Sequence, residues 1–209
     1  QLFENACKNK LLLWKWGIEA DSFEGYLFPE TYRFAEDEAP QDVINRLMEE
    51  FQKNFTEDLK VRMNEVGMTE TEVLTLASIV EGEAIYNRER PVISGVYHNR
   101  LKKGMRLQAD PTIQYIIEDS PRRLFNKDLK IKSPYNTYLN YGLPPGPINN
   151  PGIESIKAAL YPANTEYLYF VAKGDGYHTF SRTQDEHIKA KREFQKIRRK
   201  NRRQKAKKG

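Results

Sequence analysis

The chain contains 209 residues, 39% of them apolar and 11% aromatic, which is enough to fill the core of one sizeable domain with or without a small appendage. Its net charge of +5 originates at the carboxyl terminus: residues 189–208 hold 12 of the 34 Lys and Arg but one of the 29 Asp and Glu, which leaves −6 for the remainder. This mildly acidic remainder has no RNA-binding aromatic motif, so we expect no nucleic-acid partner.

The first half of the chain predicts one strand and two helices after a short leading segment of helical character. Residues 23–28 read as a strand that ends at Pro29. The first helix is marked by apolar residues at every fourth position, Val43, Leu47, Phe51 and Phe55. The second begins with a capping box formed by Thr69 and Glu72. Its apolar residues share one face, namely Val73, Ala77, Val80 and Ala84.

The second half predicts further helices and a hairpin. Residues 91–103 form a helix that Gly104 stops, and Asp110 and Asn150 each precede a proline as caps of two more helices. Residues 167–180 read as a β-hairpin, and a second capping box, Thr183 to Glu186, opens the last helix. Helices and short strands therefore mix without regular alternation, which predicts an α+β fold.

Residues 133–152 are predicted to be a long, stiff loop rich in Pro, Gly and Tyr. The prolines remove backbone donors and fix φ, so that this segment can be neither a helix nor a central strand. Long loops inside compact domains are uncommon and often functional, and tyrosines with asparagines suit the binding of sugar faces and hydroxyls. A structural loop whose tyrosines pack against the body is the alternative.

Two carboxylates, Glu81 and Glu83, stand at the end of the helix that begins near Thr69. At about 100° per residue they lie roughly 200° apart, so they cannot both face one small site, and the periodicity does not choose between them. The negative end of the helix dipole and any apolar burial would favour the protonated form, which suits a general acid. Two ordinary surface glutamates are the alternative.

Several motifs together resemble one family. They are FEGYLFPETY at 23–32, ASIVE at 77–81, NRL at 99–101, GMRLQADPT at 104–112, YNTY at 135–138 and GLPPGPI at 142–148. Their order and spacing are similar to those of the YceG-like (MltG) endolytic murein transglycosylases, and the resemblance covers residues 20–197. The family's catalytic glutamate matches Glu81, and Glu83 is then expected to be secondary.

The resemblance implies cleavage of the β-1,4 bond between N-acetylmuramic acid and N-acetylglucosamine in peptidoglycan, with a 1,6-anhydro end as product and termination of strand elongation. One carboxyl group, Glu81, would serve first as acid and then as base. The matching motifs supply the expected substrate-binding residues, Asn99, Gln108, Asp110, Tyr135, Asn136 and Tyr138. No metal is expected, since the three histidines have no metal-ligand spacing. No cofactor is expected either, because no lysine stands out as a Schiff-base candidate for pyridoxal phosphate.

Two other functions stay open at this point. A muramidase, a glycoside hydrolase, would use Asp110 as base or nucleophile beside Glu81 and would leave reducing ends. A non-catalytic peptidoglycan-binding module would keep the aromatic loop without any turnover that depends on Glu81.

The expected organisation is an end of a LysM-like subdomain or linker at 1–20, a catalytic domain at 21–188 and a basic helix end and tail at 189–209. That tail is read as a solvated extension, with contact to an anionic surface as the alternative. The chain starts with Gln1, its longest early apolar run is too short for a membrane span, and its single cysteine indicates no compartment. The resemblance implies a parent protein anchored at the extracytoplasmic face of the bacterial membrane, with peptidoglycan strands and synthases as partners.

Overall fold

The computed structural model describes residues 1–205, and side chains up to residue 199. Its helices are α1 (Leu2–Cys7), α2 (Lys10–Lys15), α3 (Pro40–Asn54), α4 (Glu57–Val66), α5 (Glu70–Glu83), α6 (Arg90–Lys102), α7 (Asp110–Ile116), α8 (Ile153–Leu160) and α9 (Gln184–Lys205), with short 3-10 turns at Asn87–Glu89 and Asp128–Lys130. Two antiparallel strands, β1 (Tyr169–Ala172) and β2 (His178–Ser181), form the sheet of this described part. The predicted α+β fold is confirmed.

Helix α5 is the centre of the core. Its capping box is present as predicted, with the Thr69 hydroxyl accepting from the Glu72 amide while the Glu72 carboxylate accepts from the Thr69 amide. Every residue from 73 to 80 is buried, so the helix is enclosed on all sides rather than along one apolar stripe. It packs against α6, α7 and α8. This enclosure fixes the position of the two acids at its carboxyl end.

Helix α6 lies beside α5 and α8, and it confirms the helix predicted at 91–103. Gly104 follows it with φ +61, a conformation that glycine adopts without strain. Inside the helix, a Cβ at Gly95 would lie 2.6 Å from the carbonyl oxygen of Ala163. Glycine at this position therefore allows the chain before the hairpin to approach α6 closely.

The strand predicted at 23–28 is wrong. This segment forms bends and turns, although Phe23, Tyr26 and Phe28 are buried. The side-chain oxygen of Asn150 accepts from the main-chain amides of Gly25 and Leu27, at 2.7 and 3.1 Å, where a neighbouring strand would otherwise do so. The buried side chains gave the segment the pattern of a strand, but its hydrogen bonds go to a distant side chain.

The two predicted caps next to prolines are also wrong. Ala109 is the N-cap residue of α7, so Asp110 is already helical, and Gly152 is the N-cap residue of α8. Asn150 is engaged by the segment near residue 25, which explains why it caps no helix.

The predicted hairpin and the last helix are confirmed. Phe170 pairs with Phe180 in the β1–β2 register, and α9 packs against both strands. Thr183 and Glu186 exchange hydrogen bonds as a capping box at the start of α9.

No helix among residues 1–205 combines the length and the apolar character that a membrane span requires. The proposed division of the chain at residues 20 and 188 stays a prediction, and residues 206–209 of the tail lie outside the described part.

Residues 133–152 form neither a helix nor a strand, as predicted. Asn136 is completely buried there and donates to the carbonyl oxygens of Leu129 and Ile131, while its own side-chain oxygen accepts from the Tyr138 amide. The loop also joins α7 to the body, because Thr137 bonds the main-chain amide of Ala109 at 2.9 Å. A single conformation of this loop is thereby stabilised without regular structure.

Candidate active site

Two depressions meet at Glu83 and Asp110 and together form one elongated groove, since both residues line both depressions. The first, of about 480 Å³, lies between α6, the hairpin and α9, and we call it the hairpin arm. The second, of about 550 Å³, is lined by Tyr115, Ile148 and Asn149 among others, and we call it the loop arm. The two carboxylates therefore stand at the middle of the groove.

Glu83 is the last residue of α5 and is half-buried. Its Oε1 accepts a hydrogen bond of 2.9 Å from the hydroxyl of Tyr97, which is fully buried on α6. Burial and, after it, the nearby Asp110 carboxylate raise the pKa of Glu83, whereas the Tyr97 hydroxyl and Arg100 oppose them, and together these effects place the pKa at about 7. A carboxyl group with a pKa near neutrality can both donate and accept a proton in one reaction cycle.

Asp110 and Tyr138 face each other across the same part of the groove. The Tyr138 hydroxyl donates to Oδ1 of Asp110 at 2.5 Å, and burial together with the Asp110 charge raises the pKa of Tyr138 well above its ordinary value. Gln108, in the wall of the hairpin arm, has φ +48, an uncommon conformation for a residue other than glycine. The main-chain amide of Gln108 donates to the carbonyl oxygen of Thr137, so the backbone at Gln108 is bonded to the long loop.

Glu81, which the family resemblance matches to the catalytic glutamate, has other partners, and its expected catalytic role stays a prediction. Its Oε1 forms an ion pair of 3.0 Å with Nη2 of Arg90, and its Oε2 accepts from the Gly152 amide at 3.1 Å. It lines neither arm of the groove. Arg90 is nearly buried and also donates to Ser155, so Glu81 links the end of α5 to α6 and to the start of α8.

Of the six residues expected to bind substrate, three lie in the groove at Glu83: Gln108, Asp110 and Tyr138. Asn99 and Asn136 line neither arm: the Asn99 side-chain amide donates to the carbonyl oxygens of Thr165 and Tyr167, and Asn136 holds the long loop. Their expected role in substrate binding stays a prediction. Their amide donors are occupied by main-chain carbonyls, so these groups are not offered to a ligand.

Tyr135 lies in a third depression, of about 430 Å³, on the far side of Tyr115. The two tyrosine rings are 4.9 Å apart, and the Tyr115 hydroxyl donates to Glu24 at 2.7 Å. Because Tyr115 also lines the loop arm, the third depression adjoins the groove. Tyr135 is therefore placed for contact with an extended ligand but away from Glu83.

Sequence reasoning did not identify Tyr97, Tyr115 or Arg100 as site residues. Tyr97 follows Ile93 and precedes Leu101 at a spacing of four, which is the pattern of an apolar helix face and does not indicate that its hydroxyl meets a carboxylate. The NRL motif contains Arg100, which lines the hairpin arm, and that motif was the available signal. Within residues 1–205 no group of His, Cys, Asp and Glu side chains has the arrangement of a metal site.

The fold and the groove define an α+β protein in which a polar, aromatic-lined groove surrounds one carboxyl group that titrates near neutrality. The model of the YceG-like family matches residues 2–193, and the chain belongs to this family. It is 45% identical over 172 residues to an endolytic murein transglycosylase of Bacillus subtilis, a match that covers 82% of this chain and 48% of the relative. It is 33% identical over 170 residues to an endolytic murein transglycosylase of Streptococcus pneumoniae serotype 2, a match that covers 78% of this chain and 31% of that relative.

The chain thus spans about half the length, or less, of these curated relatives. Its fold is similar to the crystal structure of a YceG-like protein from Listeria monocytogenes, with a TM-score of 0.82 and 36% identity over 90% of this chain and 66% of the other. The family resemblance predicted from the motifs is confirmed.

Proposed function

We propose that this protein is an endolytic lytic transglycosylase that cleaves the β-1,4 bond between N-acetylmuramic acid and N-acetylglucosamine in peptidoglycan, with Glu83 as its acid and base. The observation that carries the proposal is the position of Glu83, a half-buried carboxyl group with a pKa near 7 at the middle of an elongated groove. The names of the curated relatives support the substrate class.

Glu83 acts in both halves of the reaction. In the first, its proton moves to the glycosidic oxygen while the bond from that oxygen to C1 of the muramoyl unit breaks, which leaves positive charge on C1 and the ring oxygen. In the second, the Glu83 carboxylate takes the proton of the C6 hydroxyl as O6 bonds to C1. The carboxyl group is regenerated, no water is consumed, and the strand ends in a 1,6-anhydro sugar.

Asp110 and Tyr138 stabilise the transition state in this proposal. A carboxylate next to Glu83 favours the protonated acid before the reaction and attracts the positive charge that develops on the sugar ring. The short bond from Tyr138 holds that carboxylate in place. Tyr97 fixes the orientation of Glu83 from the opposite side.

A muramidase is the second candidate, because Asp110 and Glu83 lie side by side and two carboxylates are what a glycoside hydrolase requires. In that reaction water adds to C1, and the product is a reducing end. A non-catalytic binding module is the third, and it would need the groove but no titrating acid.

The setting of the proposed reaction follows from its substrate. Peptidoglycan lies outside the cytoplasmic membrane, so the protein works at that extracytoplasmic face, where anhydro ends would terminate strands made by peptidoglycan synthases. Anchoring of the longer parent protein in the membrane stays a prediction.

The test is digestion of uncrosslinked glycan strands by wild type, Glu83→Gln and Glu81→Gln, with the new ends identified by mass spectrometry. Glu83→Gln keeps the size of the side chain and loses the transferable proton, so we expect anhydro ends to fall by about 10²–10⁴-fold. Glu81→Gln is the matched variant on the same helix end and should retain most activity per folded molecule. Wild-type products heavier by one water would establish the muramidase, and full activity of Glu83→Gln would refute the role of Glu83.

A further inference from the structure

The hairpin arm of the groove contains two cations, Arg100 and Lys191, that form no ion pair within the described part of the chain. Arg100 is only 7% exposed, and its Nε and Nη1 donate to the carbonyl oxygens of Leu168 and Leu107 at 2.6 Å each. Its Nη2 donates to no acceptor within residues 1–205, and neither Arg100 nor Lys191 forms an ion pair with a described carboxylate. The Tyr169 ring, 5.3 Å from the guanidinium carbon, and the Glu83 charge stabilise this buried cation in part, and its Nη2 donors remain available to a ligand.

His187 lines the same arm as these two cations. Its ring stacks on Tyr169 at 5.3 Å, and its Nδ1 is buried without a hydrogen-bond partner among the described residues. Burial lowers the pKa of His187, and the charges of Lys191 and Arg100 lower it further. The two cations are therefore close enough to act on the same ring from α9 and α6.

The other charged groups of this arm are already engaged. The Nδ1 atom of His178 lies 2.9 Å from a carboxylate oxygen of Glu89, within hydrogen-bond distance, and both side chains are nearly buried. Glu83 and Asp110 stand at the end where the arm meets the loop arm, and each accepts a hydrogen bond from a tyrosine. The rest of the lining combines apolar side chains, Phe170 and Phe194 among them, with the polar side chain of Gln108. An anion in this arm would thus meet two cations that form no ion pair with a described carboxylate.

We infer that the hairpin arm is a carboxylate-binding subsite that takes the acid-bearing lactyl branch of a muramoyl unit, with Arg100 and Lys191 as its cations. This inference rests on the proposed function, since it concerns the same substrate. The lactyl branch distinguishes N-acetylmuramic acid from N-acetylglucosamine, and in strands without stem peptides it ends in a free carboxylate. Guanidinium and carboxylate groups match in charge and in hydrogen-bond geometry.

The experiment compares two substrates that differ only in that charge. Glycan strands stripped of their stem peptides carry one lactyl carboxylate per muramoyl unit, and the same strands treated with carbodiimide and methylamine carry neutral amides. Binding of each is measured with the Glu83→Gln protein, in which we expect turnover to be too slow to consume the strands during the measurement, and KM and kcat are measured with wild type. We expect the carboxylate strands to bind about tenfold more tightly, as the loss of a charge-assisted hydrogen bond would give.

The matched variants are Lys191→Met and Lys189→Met, which remove exposed lysines two residues apart on α9, of which only Lys191 lines the groove. Lys191→Met should weaken binding of carboxylate strands roughly 2–5-fold, leave amidated strands unaffected and change KM rather than kcat. Lys189→Met should behave as wild type.

Equal binding of both substrates, or equal effects of the two lysine variants, would overturn the subsite. These outcomes are separate from the proposed reaction. Charge-dependent binding without any cleavage would refute the proposed function and support the subsite. Cleavage of both substrates at equal rates and with equal affinities would support the proposed function and refute the subsite.

Discussion

Removing one hydroxyl group, in Tyr97→Phe, should shift the pH dependence of catalysis. The Tyr97 hydroxyl donates to the Glu83 carboxylate at 2.9 Å and so stabilises its charged form. A hydrogen bond to a charged group contributes about 1.5–3 kcal/mol, and one pKa unit corresponds to about 1.4 kcal/mol. The pKa of Glu83, about 7 in the wild type, should therefore rise by roughly 1–2 units in the variant.

The assay is kcat/KM for strand cleavage as a function of pH. Because the protonated acid starts the reaction, activity falls as pH rises through the pKa of Glu83, and this basic limb should move to higher pH in Tyr97→Phe. Tyr26→Phe is the matched control, since Tyr26 is also buried but its hydroxyl meets Thr71 at 3.2 Å and makes no hydrogen bond to Glu83. A basic limb that stays in place, or moves to lower pH, would refute the link between Tyr97 and the catalytic acid.

Three further predictions concern stability. The folded-state pKa of Glu83, about 7, lies above the unfolded value near 4.5, so the wild type loses stability as the pH rises between these two values. In urea titrations, Glu83→Gln should therefore be about 1–3 kcal/mol more stable than wild type at pH 8 and no more stable at pH 4. Glu81→Gln should lower the free energy of unfolding by about 1–3 kcal/mol, because Arg90 loses its ion pair, and an unchanged value would contradict the structural role. Gly95→Ala should cost about 1–3 kcal/mol in thermal unfolding, because its Cβ would lie 2.6 Å from the carbonyl oxygen of Ala163.

Features decided by neighbours within one helical turn could be predicted from the sequence. The capping boxes at Thr69 and Thr183 bring together groups three residues apart, and both are present. Gly104 stops α6 where the pattern indicates. These predictions needed no knowledge of the rest of the fold.

Features decided by distant residues could not be predicted. The segment at 23–28 has the apolar pattern of a strand, but its amides are satisfied by Asn150, more than a hundred residues away. The same contact removed Asn150 from the cap that the following proline suggested. The two long-range hydrogen bonds to Asn150 thus account for two wrong predictions, the strand at 23–28 and the cap at Asn150.

The choice between Glu81 and Glu83 is of the same kind. They are two residues apart on one helix end, so neither periodicity nor a short motif separates them. What separates them is the partners that the fold supplies, Arg90 for the first and Tyr97 with Asp110 for the second. The motifs predicted which segments meet at the groove, and the geometry supports a different glutamate at its centre.

The attachment of the hairpin to α6 has a consequence for motion. Three main-chain carbonyls before β1 are held by side chains of two consecutive residues, Asn99 and Arg100, rather than by a third strand. If each bond contributes about 1 kcal/mol, swinging the hairpin away from α6 requires breaking roughly 3 kcal/mol of bonds before any apolar contact is lost. A glycan strand entering the groove therefore meets one wall that is closed in all but about 1% of molecules at equilibrium, and the β1 amides should be protected from hydrogen exchange about as strongly as those of α6.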